Sequence, residues 1–258
     1  MLRFSAGFRW LAWLLVFLGS PLHATTITAT YNGTIAGGQV QRIISDSTTG
    51  STGWTNLGAG LFSMTVTGGD FAGDLLPSGS ANFLAFCVEP QQGVSTGQTY
   101  TWEVLGVSSG ANNIGGMGAV RAGYVGELLG GVYPVFGATT LTNQQALAIQ
   151  IAIWEIVRET VTAGGFVVAN GAPGAGNTRF RSESVAGAIA LAQSWLDLYV
   201  NDLVTGPQAT GLYSLVNATQ QDLIAQIQLI PAPTSELLLA AGLLAFASRR
   251  RLQADSKR

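Results

Sequence analysis

The chain of 258 residues is 47% hydrophobic and only 10% charged, with 34 glycines and a formal charge of −2. So apolar a composition excludes a disordered segment and suits one or two compact modules rich in strands and loops. Five arginines (Arg42, Arg121, Arg158, Arg179 and Arg181) and no lysine face thirteen acids between Thr25 and Glu236, about −8 in all, which makes the phosphate backbone of nucleic acid a poor partner.

Residues 1–24 read as a secretory signal peptide. Arg3 and Arg9 supply a positive start, Trp10 to Leu18 an unbroken apolar run, and Leu22-His23-Ala24 a cleavage site before Thr25. Spanning a bilayer takes about 20 apolar residues, so the run is short for a membrane helix, and an uncleaved anchor is the alternative. His23 is the only histidine, and cleavage removes it. Histidine general acid-base catalysis, Ser-His and Cys-His pairs and histidine-bound zinc are then unavailable to the mature chain. Cys87 is the only cysteine, which excludes intramolecular disulfides and cysteine-rich metal sites. Neither metal nor cofactor is expected. Asp46, Asp70 and Asp74 match no calcium-loop spacing and read as solvated turns.

The body, 25–229, divides into a strand-rich part (25–118) and a helix-rich part (119–229). Ile27, Ala29 and Tyr31 alternate with threonines, as do Phe62, Met64 and Val66, and Tyr100, Trp102 and Val104 alternate with polar residues. That period of two is the mark of half-buried strands. Asn82 to Glu89 is a more continuous apolar strand stopped by Pro90. Ala119 to Leu129 is a helix weakened by Gly123 and Gly126. Thr142-Asn143-Gln144-Gln145 has the form of a capping box and predicts a helix to about Arg158. A third helix is expected from about Ser184 to Asn201.

The helix after Thr142 carries an anomaly. Ala146 to Val157 leaves almost no polar face, so the helix should be buried on most sides, yet Gln150 sits in its middle. A buried primary amide without partners costs a few kcal/mol, so something must satisfy it or use it. Cys87, on its apolar strand, poses a matching question.

Phe86-Cys87-Val88-Glu89 together with Ile149-Gln150-Ile151-Ala152-Ile153-Trp154 resembles the paired signature of the thioester domains of bacterial surface adhesins. Ala119 to Tyr133, with Tyr124, Leu128, Leu129 and Tyr133-Pro134, is similar to the helix and loop that precede the glutamine in that family. The resemblance implies that Cys87 supplies sulfur and Gln150 the acyl carbon of an internal thioester. Such a bond captures an amine or hydroxyl nucleophile once, so the protein is not an enzyme in the turnover sense. It also needs near-attack geometry, donors for a developing oxyanion and shelter from water.

The tail, 230–258, runs Pro231-Ala232-Pro233-Thr234-Ser235, then apolar Leu237 to Ala247, then Arg249-Arg250-Arg251. This order resembles the PEP-CTERM sorting signal of Gram-negative bacteria, with Ala232 where the usual motif has Glu. It implies tethering to the inner membrane, processing by an exosortase-type protease, and release to the envelope, cell surface or extracellular matrix.

The expected fold is α+β, a β-sandwich or half-barrel carrying Cys87 and packed against a small helical subdomain carrying Gln150. The expected role is adhesion to a surface nucleophile. The alternative is a structural envelope or biofilm-matrix protein in which Cys87 and Gln150 are only core residues. A hydrolase built on Cys87 would lack a histidine base.

Overall fold

The computed structural model describes residues 25–44, 54–70, 81–159, 165–168, 178–181, 183–201 and 206–227. The signal segment 1–24, the tail 230–258, Asp46 and Asp74 lie outside the described residues.

Strand β1 (Thr26–Ile44) alternates threonine outward with Ile27, Ala29 and Tyr31 inward, and those three are buried. Outward threonines join across strands, Thr28 to Thr101 at 2.8 Å and Thr30 to Thr99 at 2.7 Å. Strand β2 (Thr55–Gly69) pairs antiparallel along β1, and register shifts at Thr28/Ala29, Tyr31/Gly33 and Thr34/Ala36 bend the hairpin. Gly37 and Gly60 oppose each other with φ of 142° and 144°. A Cβ on either would strike the carbonyl of the facing strand, so this close approach requires glycine.

Strands β3 (Asn82–Cys87) and β4 (Thr99–Gly106) precede the helices α1 (Gly118–Val132) and α2 (Asn143–Arg158). Strand β5 (Thr178–Arg181), helix α3 (Ala188–Leu196) with a π turn over Asp197–Asn201, and strands β6 (Leu212–Val216) and β7 (Leu223–Gln226) follow. The order β2-β3-β7-β6-β4-β1, with β1 paired back to β2, closes a six-stranded antiparallel barrel, and β5 lies along the end of β1 as a seventh strand. Together with the three helices this is an α+β fold.

The capping box forms as the residues dictate. Thr142 Oγ1 accepts from the Gln145 N–H at 3.2 Å, and the Thr142 N–H donates to Gln145 Oε1 at 2.9 Å. Every residue of α2 from Ala146 to Val157 is buried, against β1, β2 and α3. Two expectations for the later chain change. Helix α3 starts at Ala188 rather than Ser184, and residues 119–229 supply three strands as well as helices. Leu223, Ile224 and Ala225 are all buried, so β7 shows none of the alternation that would mark a strand in the sequence. Gly130 lets the chain cross α1 in backbone contact near Pro207, where the Ala209 N–H bonds Gly126 O at 3.0 Å on the way to β6.

Candidate functional site

Cys87 ends β3 with no exposed surface, paired with Leu223 of β7 and crossed by α2. Gln150, equally buried, reaches its peptide group: Gln150 Nε2 donates to Cys87 O at 2.6 Å, and the Cys87 N–H donates to Gln150 Oε1 at 2.9 Å. Both ends of the amide are spent on backbone, which answers the question of how a glutamine survives in an apolar helix. The two residues singled out in the sequence therefore meet, the Gln150 amide bonding the Cys87 peptide at both its polar atoms.

At the sulfur stands Gln221, which the sequence did not single out. It occupies the turn before β7, is 6% exposed, and sets its Nε2 against Cys87 Sγ while donating to Glu89 O at 3.1 Å. Trp154, one turn beyond Gln150 on α2, donates its indole N–H to Cys87 Sγ at 3.4 Å, and its ring stacks on Phe180 with centroids 6.1 Å apart. The thiol itself donates to Glu89 O at 3.3 Å. Burial pushes the Cys87 pKa far above its ordinary value, with the Trp154 N–H pulling the other way. The sulfur is thus a neutral thiol set among a carboxamide, an indole and apolar walls.

A frame of backbone bonds holds Gln221 in place. The Trp102 indole N–H donates to Gln221 O at 3.1 Å, and the Val88 N–H to Asp222 O at 2.9 Å. Glu89 accepts from the Asn113 N–H at 2.6 Å and the Asp222 N–H at 3.4 Å; Asp222 accepts from the amides of Asn112 at 2.8 Å and Asn217 at 2.7 Å. Burial raises the pKa of both carboxyls. These two acids clamp the ends of β3 and β7 on either side of the Cys87–Gln221 contact. Trp102 and Trp154 are buried, and their N–H groups bond Gln221 O and Cys87 Sγ. In the sequence Gln221 had one signal: Gln220-Gln221-Asp222 leads without a break into the buried run Leu223 to Ala225.

A cavity of about 260 Å³ opens beside this contact, with Trp154 and Gln221 among its lining residues. Beside Cys87, Tyr133 and Phe136 approach the Phe86 ring at 6.4 and 5.7 Å, and the Tyr133 hydroxyl accepts from the Gly137 N–H at 2.7 Å. Among the described residues no group of acids, Cys or His could hold a metal ion, and no helix is long and apolar enough to cross a membrane. Searches of protein-family models, curated proteins and solved structures return no match to this chain.

Proposed function

We propose that this chain is an exported surface or matrix protein that closes an internal thioester between Cys87 and Gln221 and uses it once to capture a nucleophile. The observation that carries the proposal is the Gln221 carboxamide lying against Cys87 Sγ, which has no exposed surface. Gln150, the acyl donor implied by the motif, has both polar atoms engaged on the Cys87 peptide, and its role is to position the strand end. In the closing step Cys87 Sγ attacks Cδ of Gln221, a C–S bond replaces the C–N bond, and ammonia leaves with the thiol proton. In the capture step an amine or hydroxyl attacks the same carbon, the C–S bond breaks, and the proton of the nucleophile passes to sulfur. The Trp154 N–H supplies a hydrogen bond to the sulfur as it leaves.

Export rests on residues 1–24, and tethering and release by an exosortase-type protease on residues 230–258. A chain recovered from envelope or medium with Arg258 still attached would argue against that processing. For the bond, intact mass is the test: purified protein should weigh one ammonia less than its sequence, and Cys87→Ala and Gln221→Ala should each restore the full mass. Methylamine should then add at the Gln221 peptide while Cys87 becomes alkylable in step. An adduct on the Gln150 peptide would move the acyl role to Gln150. Full mass with Cys87 free from the outset would leave the structural envelope or biofilm-matrix protein, a reading that the fully bonded amide of Gln150 favours.

A further inference from the structure

We infer that the acceptor captured here is a neutral, hydroxyl-rich molecule, a carbohydrate, received in the cavity beside Gln221; this rests on the thioester reading above. The cavity, about 260 Å³, holds on the order of eight or nine waters at about 30 Å³ each, room for one pyranose ring. Among the described residues no charged side chain lines it. Its polar lining comes from Thr34 and Asn56, which are exposed and can trade hydrogen bonds with hydroxyls, and from Gln92, whose amide N–H groups are directed to Glu89 Oε2 and Gln220 O. Tyr31 and Phe62, a tilted pair with centroids 4.9 Å apart and both largely buried, form an apolar wall of the cavity. The Tyr31 hydroxyl shares a hydrogen bond of 2.8 Å with Thr34 Oγ1, and burial raises the Tyr31 pKa, so this group too stays neutral. Glu89, beside the lining residue Pro90, spends its oxygens on the backbone amides of Asn113 and Asp222 and on the side-chain amide of Gln92 at 2.7 Å.

Such a lining disfavours a lysine side chain. An ammonium entering it loses hydration with no carboxylate to replace it, and at pH 7 only about one lysine in 2,500 is already neutral. A hydroxyl arrives uncharged. Its oxygen forms an ester with Cδ of Gln221, the C–S bond breaks, and the hydroxyl proton ends on Cys87 sulfur, so the step needs no further reactant.

The test offers the purified full-length protein, at pH 7 and equal concentrations, a panel of neutral gluco-, galacto- and manno-oligosaccharides, Nα-acetyl-lysine amide, and methylamine. The expected result is a hydroxylamine-labile saccharide ester on the Gln221 peptide, formed by at least one saccharide about tenfold faster than the lysine adduct. Thr34→Val and Asn56→Ala should each lower the ratio of saccharide to methylamine rates about threefold or more. Methylamine adding while every saccharide fails, or the lysine derivative adding faster, would overturn the carbohydrate inference and leave the thioester standing. Failure of methylamine as well, with Cys87 free in fresh protein, would sink the thioester and the inference together.

Discussion

Two faces of α2 bury polar groups by opposite rules. One carries Gln150 and Trp154, four residues apart, and meets β3; both Gln150 polar atoms and the Trp154 N–H find partners on Cys87. The other carries Glu155, with Glu159 just past the helix end, and there burial and the neighbouring like charge push the Glu155 pKa up to about 9. Arg42 of β1, beside Arg158, shows the same tension: burial lowers its pKa to about 10, and its Nε and Nη1 have no hydrogen bond among the described residues. Neutral groups around Cys87 are fully bonded, whereas the ionisable groups a turn away are buried at a cost to the fold. The comparison teaches that the end of α2 facing Cys87 meets it with uncharged donors, each of which finds a partner there, the preorganisation that the proposed thioester would need.

The largest effect expected from breaking this contrast is at the bond. A Cys87–Gln221 link spans 134 residues of sequence separation, and closing such a loop stabilises by about 5 kcal/mol on chain entropy. Cys87→Ala and Gln221→Ala should each lose a stabilisation of that order in urea titrations. Gln150→Ala comes next. It strands the Cys87 N–H and C=O and opens a void, at about 3 kcal/mol, and because those bonds are to backbone the loss should persist in a Cys87→Ala background. A loss that vanishes there would make Gln150 part of the bond.

The charged face yields a smaller effect of opposite sign. Glu155 has a pKa of about 9 in the folded chain against an ordinary 4.5, so the folded state keeps a proton that the unfolded state releases. Its stabilisation is complete below about 4.5 and is lost as pH rises towards 9. Glu155→Gln should therefore stabilise by about 1–3 kcal/mol at pH 8 and much less at pH 5, measured as unfolding free energy at both. Equal effects at the two pH values would show that this carboxyl is not held neutral. The smallest change expected is Trp154→Phe, which keeps the stack on Phe180 and removes the N–H facing sulfur. Thiol release by methylamine should slow about fivefold, worth about 1 kcal/mol, with little loss of stability.

The amino-acid sequence by itself determined much of the local structure and marked Cys87 and Gln150 as residues in need of an explanation. Alternation around Ile27, Phe62 and Trp102 marked β1, β2 and β4; Thr142 and Gln145 marked the start of α2; and Gln150 was legible as a buried amide in need of a partner. These are properties of neighbours in the chain, set by side-chain period and capping chemistry. Only the tertiary structure decided that β7 slots between β3 and β6, which carries the turn before it, and Gln221, to the Cys87 sulfur. Local pattern tells which face of an element is buried but not which strands pair. A strand buried on both faces, as β7 is, loses even the alternation that would announce it, so barrel closure alone shows that Gln221 lies at the Cys87 sulfur.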